Sequence, residues 1–349
     1  MIENKGGAGG GISYAYVARA EPGGNSQSPG MTPPGPILLF SIYRSDIPRF
    51  EHLLVRALPD IPIHSASNPE EATPYLESTA VLYGWGFPPD MLEKMPNLRW
   101  VQKIGAGVDE IIERWPFGRD VLLTRTDGKL IAPRMAEYVL GAILDKTLRL
   151  DRARRQQQEC IWEFFDIDTI RNLSIGIAGL GEIGSVVADT LRSLGARTLG
   201  WRRSPAPSSA VDELFTGEAA LPRFVGACDV LVLVLPLTKE TKGLFGTDIF
   251  AHCRRGMHFI NVGRGALIDE RALLSAIDAN VVAHATLDVV ATEPLPADHP
   301  FWSNPRVTIT PHVCGPLVAE DVVPHFVANY EAFSRGHPLK NIIDLEKQY

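Results

Sequence analysis

The stretch that decides the fold is Leu173-Ser-Ile-Gly-Ile-Ala178 followed at once by Gly179-Leu180-Gly181-Glu182-Ile183-Gly184. A short apolar run reads as a buried strand, and the residues after Gly184 run on with helical spacing. Glycine at the first, third and sixth positions gives the chain a tight turn, a backbone that an anion can approach, and close packing of helix on strand. The N–H groups at the start of such a helix have no partner of their own, so they suit a pyrophosphate. Gly179, Gly181, Glu182, Ile183 and Gly184 are therefore expected to line a dinucleotide.

Moving outward, the next strand, near Thr198 to Trp201, ends in Arg202-Arg203-Ser204. An acidic residue is usual here, where it meets the adenosine ribose hydroxyls. Two guanidiniums and a hydroxyl instead favour a 2′-phosphate through charge-assisted hydrogen bonds. NADP(H) is the expected cofactor, with NAD(H) second.

Further strands are expected near Asp229 to Leu235, His258 to Val262, Ala283 to Val289 and Val307 to Thr310, with helices at Ile183 to Leu194, Glu270 to Ala279 and Ala319 to Ser334. At or beyond the ends of these strands stand Asn261-Val262-Gly263-Arg264-Gly265, Leu287-Asp288-Val289, Glu293-Pro294 and Thr310-Pro311-His312. The C-terminal edge of an open parallel sheet is where ligands bind. Reduction of a carbonyl by a nicotinamide needs a cation to hold the substrate and an acid to deliver a proton. Arg264 and His312 suit those tasks, and Glu293 is the carboxylate expected to favour the cationic imidazole.

Upstream, Ile37 to Ile42, Thr79 to Tyr83 and Trp100 to Ile104 read as buried strands, with helical stretches at Ile47 to Leu58 and Pro89 to Lys94. That alternation predicts a second doubly wound unit. A long helix from Pro133 to Leu150 and a charged one from Asp151 to Trp162 are expected to cross between the units. A chain of 349 residues also favours two domains. The fold class is thus α/β with two parallel-sheet, Rossmann- or flavodoxin-like domains.

Composition narrows the partners. The 34 basic and 41 acidic residues leave a formal charge of −7, which argues against nucleic acid and anionic membranes. The apolar runs are too short to span a bilayer. Cys160, Cys228, Cys253 and Cys314 form no CxxC pair, so neither a metal site nor a disulfide framework is expected, and a reducing cytoplasm fits. Residues 1–36 contain nine glycines and five prolines and read as a disordered extension. Met31, just ahead of the first strand, is a candidate start of translation.

The chain resembles the D-isomer-specific 2-hydroxyacid dehydrogenases, in particular their glyoxylate/hydroxypyruvate reductase A-like branch. The resemblance runs from about Ile37 to the end and is carried by Ile104-Gly-Ala-Gly-Val-Asp109, Ala136-Glu-Tyr-Val139, the glycine turn, Leu235-Pro-Leu-Thr238, Asn261-Val-Gly-Arg-Gly265, Leu287-Asp-Val289, Glu293-Pro-Leu-Pro296 and Val307-Thr-Ile-Thr-Pro-His312.

The resemblance implies Arg264, Glu293 and His312 as catalytic residues. It places Leu235, Pro236, Val262 and Asp288 beside the cofactor, with Asp288 at the nicotinamide. It also implies that the backbone of Ala106 and Gly107 holds a substrate carboxylate, and that Trp85, followed by Phe87-Pro88-Pro89, is a substrate wall. The substrate domain would comprise 37–132 with 315–349, enclosing a cofactor domain over 133–314, and the protein would be a homodimer. The chain departs from the branch after His312, where Val313-Cys314-Gly315-Pro316 lacks the arginine that the branch places near the substrate; none follows until Arg335. Glyoxylate or hydroxypyruvate is the expected substrate. The alternatives are a D-lactate- or phenylpyruvate-type dehydrogenase and a nucleotide-sensing corepressor-like binding protein. Cys314 reads as a packing residue rather than a nucleophile.

Overall fold

The computed structural model describes residues 35–42, 47–112, 115, 120–205 and 207–348. The expected disordered extension thus lies, up to residue 34, outside the described residues. Among those described, the strands form two all-parallel sheets.

The first sheet contains β1 (Ile37–Ser41), β2 (Ile63–Ala66), β3 (Val81–Trp85), β4 (Trp100–Lys103) and β5 (Leu122–Arg125), in the order β2-β1-β3-β4-β5. This is the flavodoxin-like order, in which the direction of winding reverses between β1 and β3. β1 is buried along its whole length, as expected of a strand covered on both faces. Helix α1 (Ile47–Ala57) buries Ile47, Phe50 and Leu54, and α2 (Pro69–Ala72) and α3 (Asp109–Ile112) are single turns.

The longer helices that follow are α4 (Gly128–Thr147), α5 (Leu150–Gln158) and α6 (Glu182–Ser193). The second sheet contains β6 (Ser174–Ala178), β7 (Arg197–Arg202), β8 (Glu213–Thr216), β9 (Val230–Leu233), β10 (Met257–Asn261), β11 (Val282–Leu287) and β12 (Val307–Ile309). Their order, β12-β11-β10-β9-β6-β7-β8, is the Rossmann arrangement extended by one strand, with its reversal between β6 and β9. Helix α6 buries Gly184, Val187, Ala188 and Leu191, which lie on one face, against Ile131, Met135, Val139 and Ile143 of α4. Helices α7 (Leu221–Gly226), α8 (Thr247–Phe250) and α9 (Glu270–Asp278) help to cover the sheet's other face.

The last helix, α10 (Ala319–Ser334), returns to the first sheet. Phe326 stacks on Tyr83 and Trp100 with ring centroids 4.1 and 5.2 Å apart, and Asn329 reaches Gln102.

Several elements differ from expectation. α4 begins at Gly128, where Asp127 accepts a hydrogen bond from the Lys129 amide, and Pro133 lies inside the helix rather than at its first turn. α5 ends at Gln158, short of Trp162. Pro89–Lys94 is a tight 3₁₀ segment rather than an α-helix.

Candidate active site

The glycine turn joins β6 to α6. Gly179 has a φ of 104°, and a Cβ on Gly184 would overlap the Gly179 carbonyl oxygen, so the turn closes this tightly only without a side chain there. A Cβ on Gly181, by contrast, would meet no atom within 4 Å. Gly181 also serves as the N-cap of α6 without a capping side chain, so the helix start faces open space with amide donors. An anionic pyrophosphate fits this cradle. The Glu182 carboxylate turns toward the first unit, where it accepts from the Gly128 amide at 3.1 Å and pairs with Arg125 at 3.5 Å. Ile183 packs against the core shared by α4 and α6.

At the end of β7, Arg202 is half-buried while Arg203 and Ser204 are exposed, and Arg203 pairs with Glu240 at 3.4 Å. These groups could hold a phosphate on the adenosine ribose. Leu235 and Val262 are buried at the ends of neighbouring strands, and Pro236 is exposed beside them.

His312 and Glu293 come from different loops and meet, with His312 Nδ1 and Glu293 Oε2 2.9 Å apart. Burial alone would raise the Glu293 carboxyl's pKa. The hydrogen bond and charge of His312, the Val290 amide and the charge of Arg264 outweigh it and hold the group below its ordinary value. The acid is therefore ionised at neutral pH, and with Nδ1 engaged, His312 Nε2 is the ring atom left to exchange a proton.

Asp288 is 1% exposed, and its carboxylate accepts from Thr310 Oγ1 at 2.6 Å and from the amides of Val313 and Cys314 at 2.9 and 3.0 Å. Its side chain thus shapes the loop that carries His312. Thr310 also contacts the hydroxyl of Tyr138 at 2.6 Å, and burial helps push that phenol up to about 12. Cys314 is buried, and burial together with Asp288 pushes its thiol up, which disfavours a thiolate.

Arg264 follows β10 but reaches the other unit. Its Nε donates to Asp109 Oδ1 at 2.9 Å, and one terminal nitrogen donates to the Gly263 carbonyl. Its other terminal nitrogen occupies the space that a Cβ on Gly107 would need. Glycine at 107 is what lets the guanidinium lie against the Ala106-Gly107 backbone. Trp85 ends β3 half-buried, and Lys103 Nζ lies 5.5 Å from the centroid of its ring.

Sequence reasoning missed the part played by Asp109. It was visible only as the last residue of Ile104-Gly-Ala-Gly-Val-Asp109, and its pairing with Arg264 spans 155 positions. No group of three or more His, Cys, Asp or Glu residues suited to a metal occurs among the described residues. No helix among them is long and apolar enough to cross a membrane.

Comparison with known proteins agrees with this architecture. A family model described as D-isomer specific 2-hydroxyacid dehydrogenase, NAD binding domain, matches residues 140–314. A glyoxylate/hydroxypyruvate reductase A from Yersinia enterocolitica is 36% identical over 272 residues, covering 76% of this chain and 86% of the relative. A D-isomer specific 2-hydroxyacid dehydrogenase from Xanthobacter autotrophicus Py2, solved with NADPH and MES, superposes with a TM-score of 0.82 at 32% identity, covering 90% of this chain and 99% of that one. An NADPH-dependent glyoxylate/hydroxypyruvate reductase from Sinorhizobium meliloti, solved with NADP and sulfate, gives 0.83 at 29% identity, covering 90% and 100%. The chain belongs to the D-isomer specific 2-hydroxyacid dehydrogenase family and, within it, is similar to the proteins called glyoxylate/hydroxypyruvate reductase A.

Proposed function

We propose that this protein is a cytoplasmic, NADPH-dependent reductase of small 2-oxo acids, of the glyoxylate or hydroxypyruvate type, to D-2-hydroxy acids. The observation that carries the reading is the His312–Glu293 pair, an acid-supported imidazole on a loop at the C-terminal edge of the second sheet. Arg264 and the amides of Ala106 and Gly107 bind the substrate carboxylate, and Arg264 also polarises the 2-oxo group. Bound NADPH supplies hydride to C2. His312 Nε2 protonates the oxygen as charge develops on it, and the ionised Glu293 stabilises the imidazolium beforehand. Trp85 walls the substrate side, and closure of the two units excludes water.

Arg202, Arg203 and Ser204 select the 2′-phosphate, while the turn from Gly179 to Gly184 holds the pyrophosphate. Leu235, Pro236 and Val262 line the cofactor, and Asp288 orders the nicotinamide end. In this reading, 37–132 with 315–349 forms the substrate unit and 133–314 the cofactor unit. The partner is a second copy of the chain, and the apolar surface of residues 159–169 supports that assignment.

The test is NADPH and NADH oxidation, followed by absorbance, against a panel of 2-oxo acids. Turnover of glyoxylate or hydroxypyruvate with NADPH preferred is expected. Turnover confined to pyruvate or phenylpyruvate would move the protein to another specificity, and NADPH binding without turnover of any 2-oxo acid would overturn the enzymatic reading.

A further inference from the structure

Lys103 ends β4 immediately before the Ile104–Gly107 loop, and its side chain is only 2% exposed. A lysine withdrawn from water needs a compensating charge. Its ammonium pairs with Glu110 and also lies against the Trp85 ring. Burial lowers its proton affinity; Glu110 opposes that, and the charges of Arg264 and Asp109 are both close enough to act on it.

Glu110 directly follows Asp109 at the start of α3. Two consecutive carboxylates therefore stand beside the substrate loop, and each is answered by a different cation. Asp109 takes Arg264 from the other unit, while Glu110 takes Lys103 from its own. A guanidinium shared between two carboxylates would have less positive charge left for an anionic substrate.

We propose that Lys103 is a positioning residue of the reductase site: it sequesters Glu110, so that Arg264 meets one carboxylate, Asp109, and keeps its Gly107-facing edge for the substrate. The proposal rests on the reduction of 2-oxo acids proposed above, which wild-type turnover tests separately. If the wild type turns over none, both fall; if it is active, the variants below judge Lys103 alone.

Lys103→Met preserves most of the stem's volume and frees Glu110. The KM for the 2-oxo acid should rise about tenfold, the scale of one charge-assisted hydrogen bond, and kcat should fall with it because Arg264 also polarises the 2-oxo group, while the KM for NADPH stays within about twofold. Adding Glu110→Gln should bring the substrate KM back to within about threefold of wild type. A structural role would instead move both KM values and would not be relieved by the second substitution. An unchanged substrate KM in Lys103→Met, or a loss that Lys103→Met/Glu110→Gln fails to recover, overturns the proposal. Should Lys103→Met alone fail to fold, the double variant removes both charges together and carries the test: near-wild-type substrate KM supports the proposal, and a tenfold rise with unaltered NADPH affinity overturns it.

Discussion

The backbone amide of His312 donates to the carbonyl of Asp288 at 2.9 Å, while the Asp288 carboxylate accepts the next two amides, those of Val313 and Cys314. His312 has a φ of 54°, in the left-handed region that a non-glycine residue enters only when its surroundings require it. Asp288 supplies that requirement. Asp288→Ala should leave the Val313 and Cys314 amides and Thr310 Oγ1 without their acceptor and destabilise the fold by about 3 kcal/mol. Thermal unfolding would show this as a lower Tm, accompanied by a fall in kcat as the imidazole loses its placement. An unchanged Tm would mean that the loop is held by other contacts.

His312→Ala should reduce kcat about 100- to 10,000-fold, the range for loss of a general acid, with NADPH affinity retained. Glu293→Gln tests the support rather than the acid. Because the Glu293 pKa is held below its ordinary value, its stabilising contact with His312 is present at neutral pH and disappears only as pH falls through that lowered value. Glu293→Gln removes the ionised acceptor beside His312 Nδ1, so kcat/KM at neutral pH should fall about tenfold. The acid-side loss of activity that accompanies protonation of Glu293 in the wild type should be absent from the variant's kcat/KM profile. Superimposable profiles for wild type and variant would detach Glu293 from the chemistry.

The parts of this molecule that were readable in advance are those whose signals are local. β9 and, up to Ser41, β1 are apolar runs buried at every position, and the glycine turn announces both its strand and its helix. β2, β5 and β8 went unseen because they are short and carry polar residues, such as His64 and Ser65 in β2 or Glu213 and Thr216 in β8, that dilute the apolar pattern. Pro133 misplaced the start of α4, since proline favours a helix's first turn yet is tolerated here deeper inside. At the site, Arg264, Glu293 and His312 stood out as charged residues beyond strand ends. Asp109 and Lys103 did not, because their roles depend on which residues the two sheets bring together.

Cofactor choice should respond to the end of β7. Arg202→Ala/Arg203→Ala removes two cations where a 2′-phosphate would sit, so the KM for NADPH should rise about tenfold or more while that for NADH changes little. Because Arg203 is also paired with Glu240, Glu240→Gln should tighten NADPH by freeing the guanidinium. Steady-state kinetics with both cofactors decide this. Equal losses for NADPH and NADH would place the phosphate elsewhere.

The segment after α5 bears on assembly. Trp162 is 103% exposed and Phe164 87%, with Ile161 and Ile167 about half exposed and no buried residue in α5. Scattered apolar residues on a surface are ordinary, but four within seven positions form a patch that water solvates poorly. The same segment carries Glu163 and Asp166, and α5 carries Arg152, Arg154 and Arg155, so a second copy of this surface can meet it with charges of both signs. Trp162→Glu/Phe164→Ser should therefore convert a dimer into a monomer at micromolar concentration, as read by light scattering after size exclusion. The substitutions lie on an exposed loop, so the monomer should keep its circular dichroism spectrum. A wild-type protein that is already monomeric, or a double variant that remains dimeric, would show that this patch is not the dimer interface.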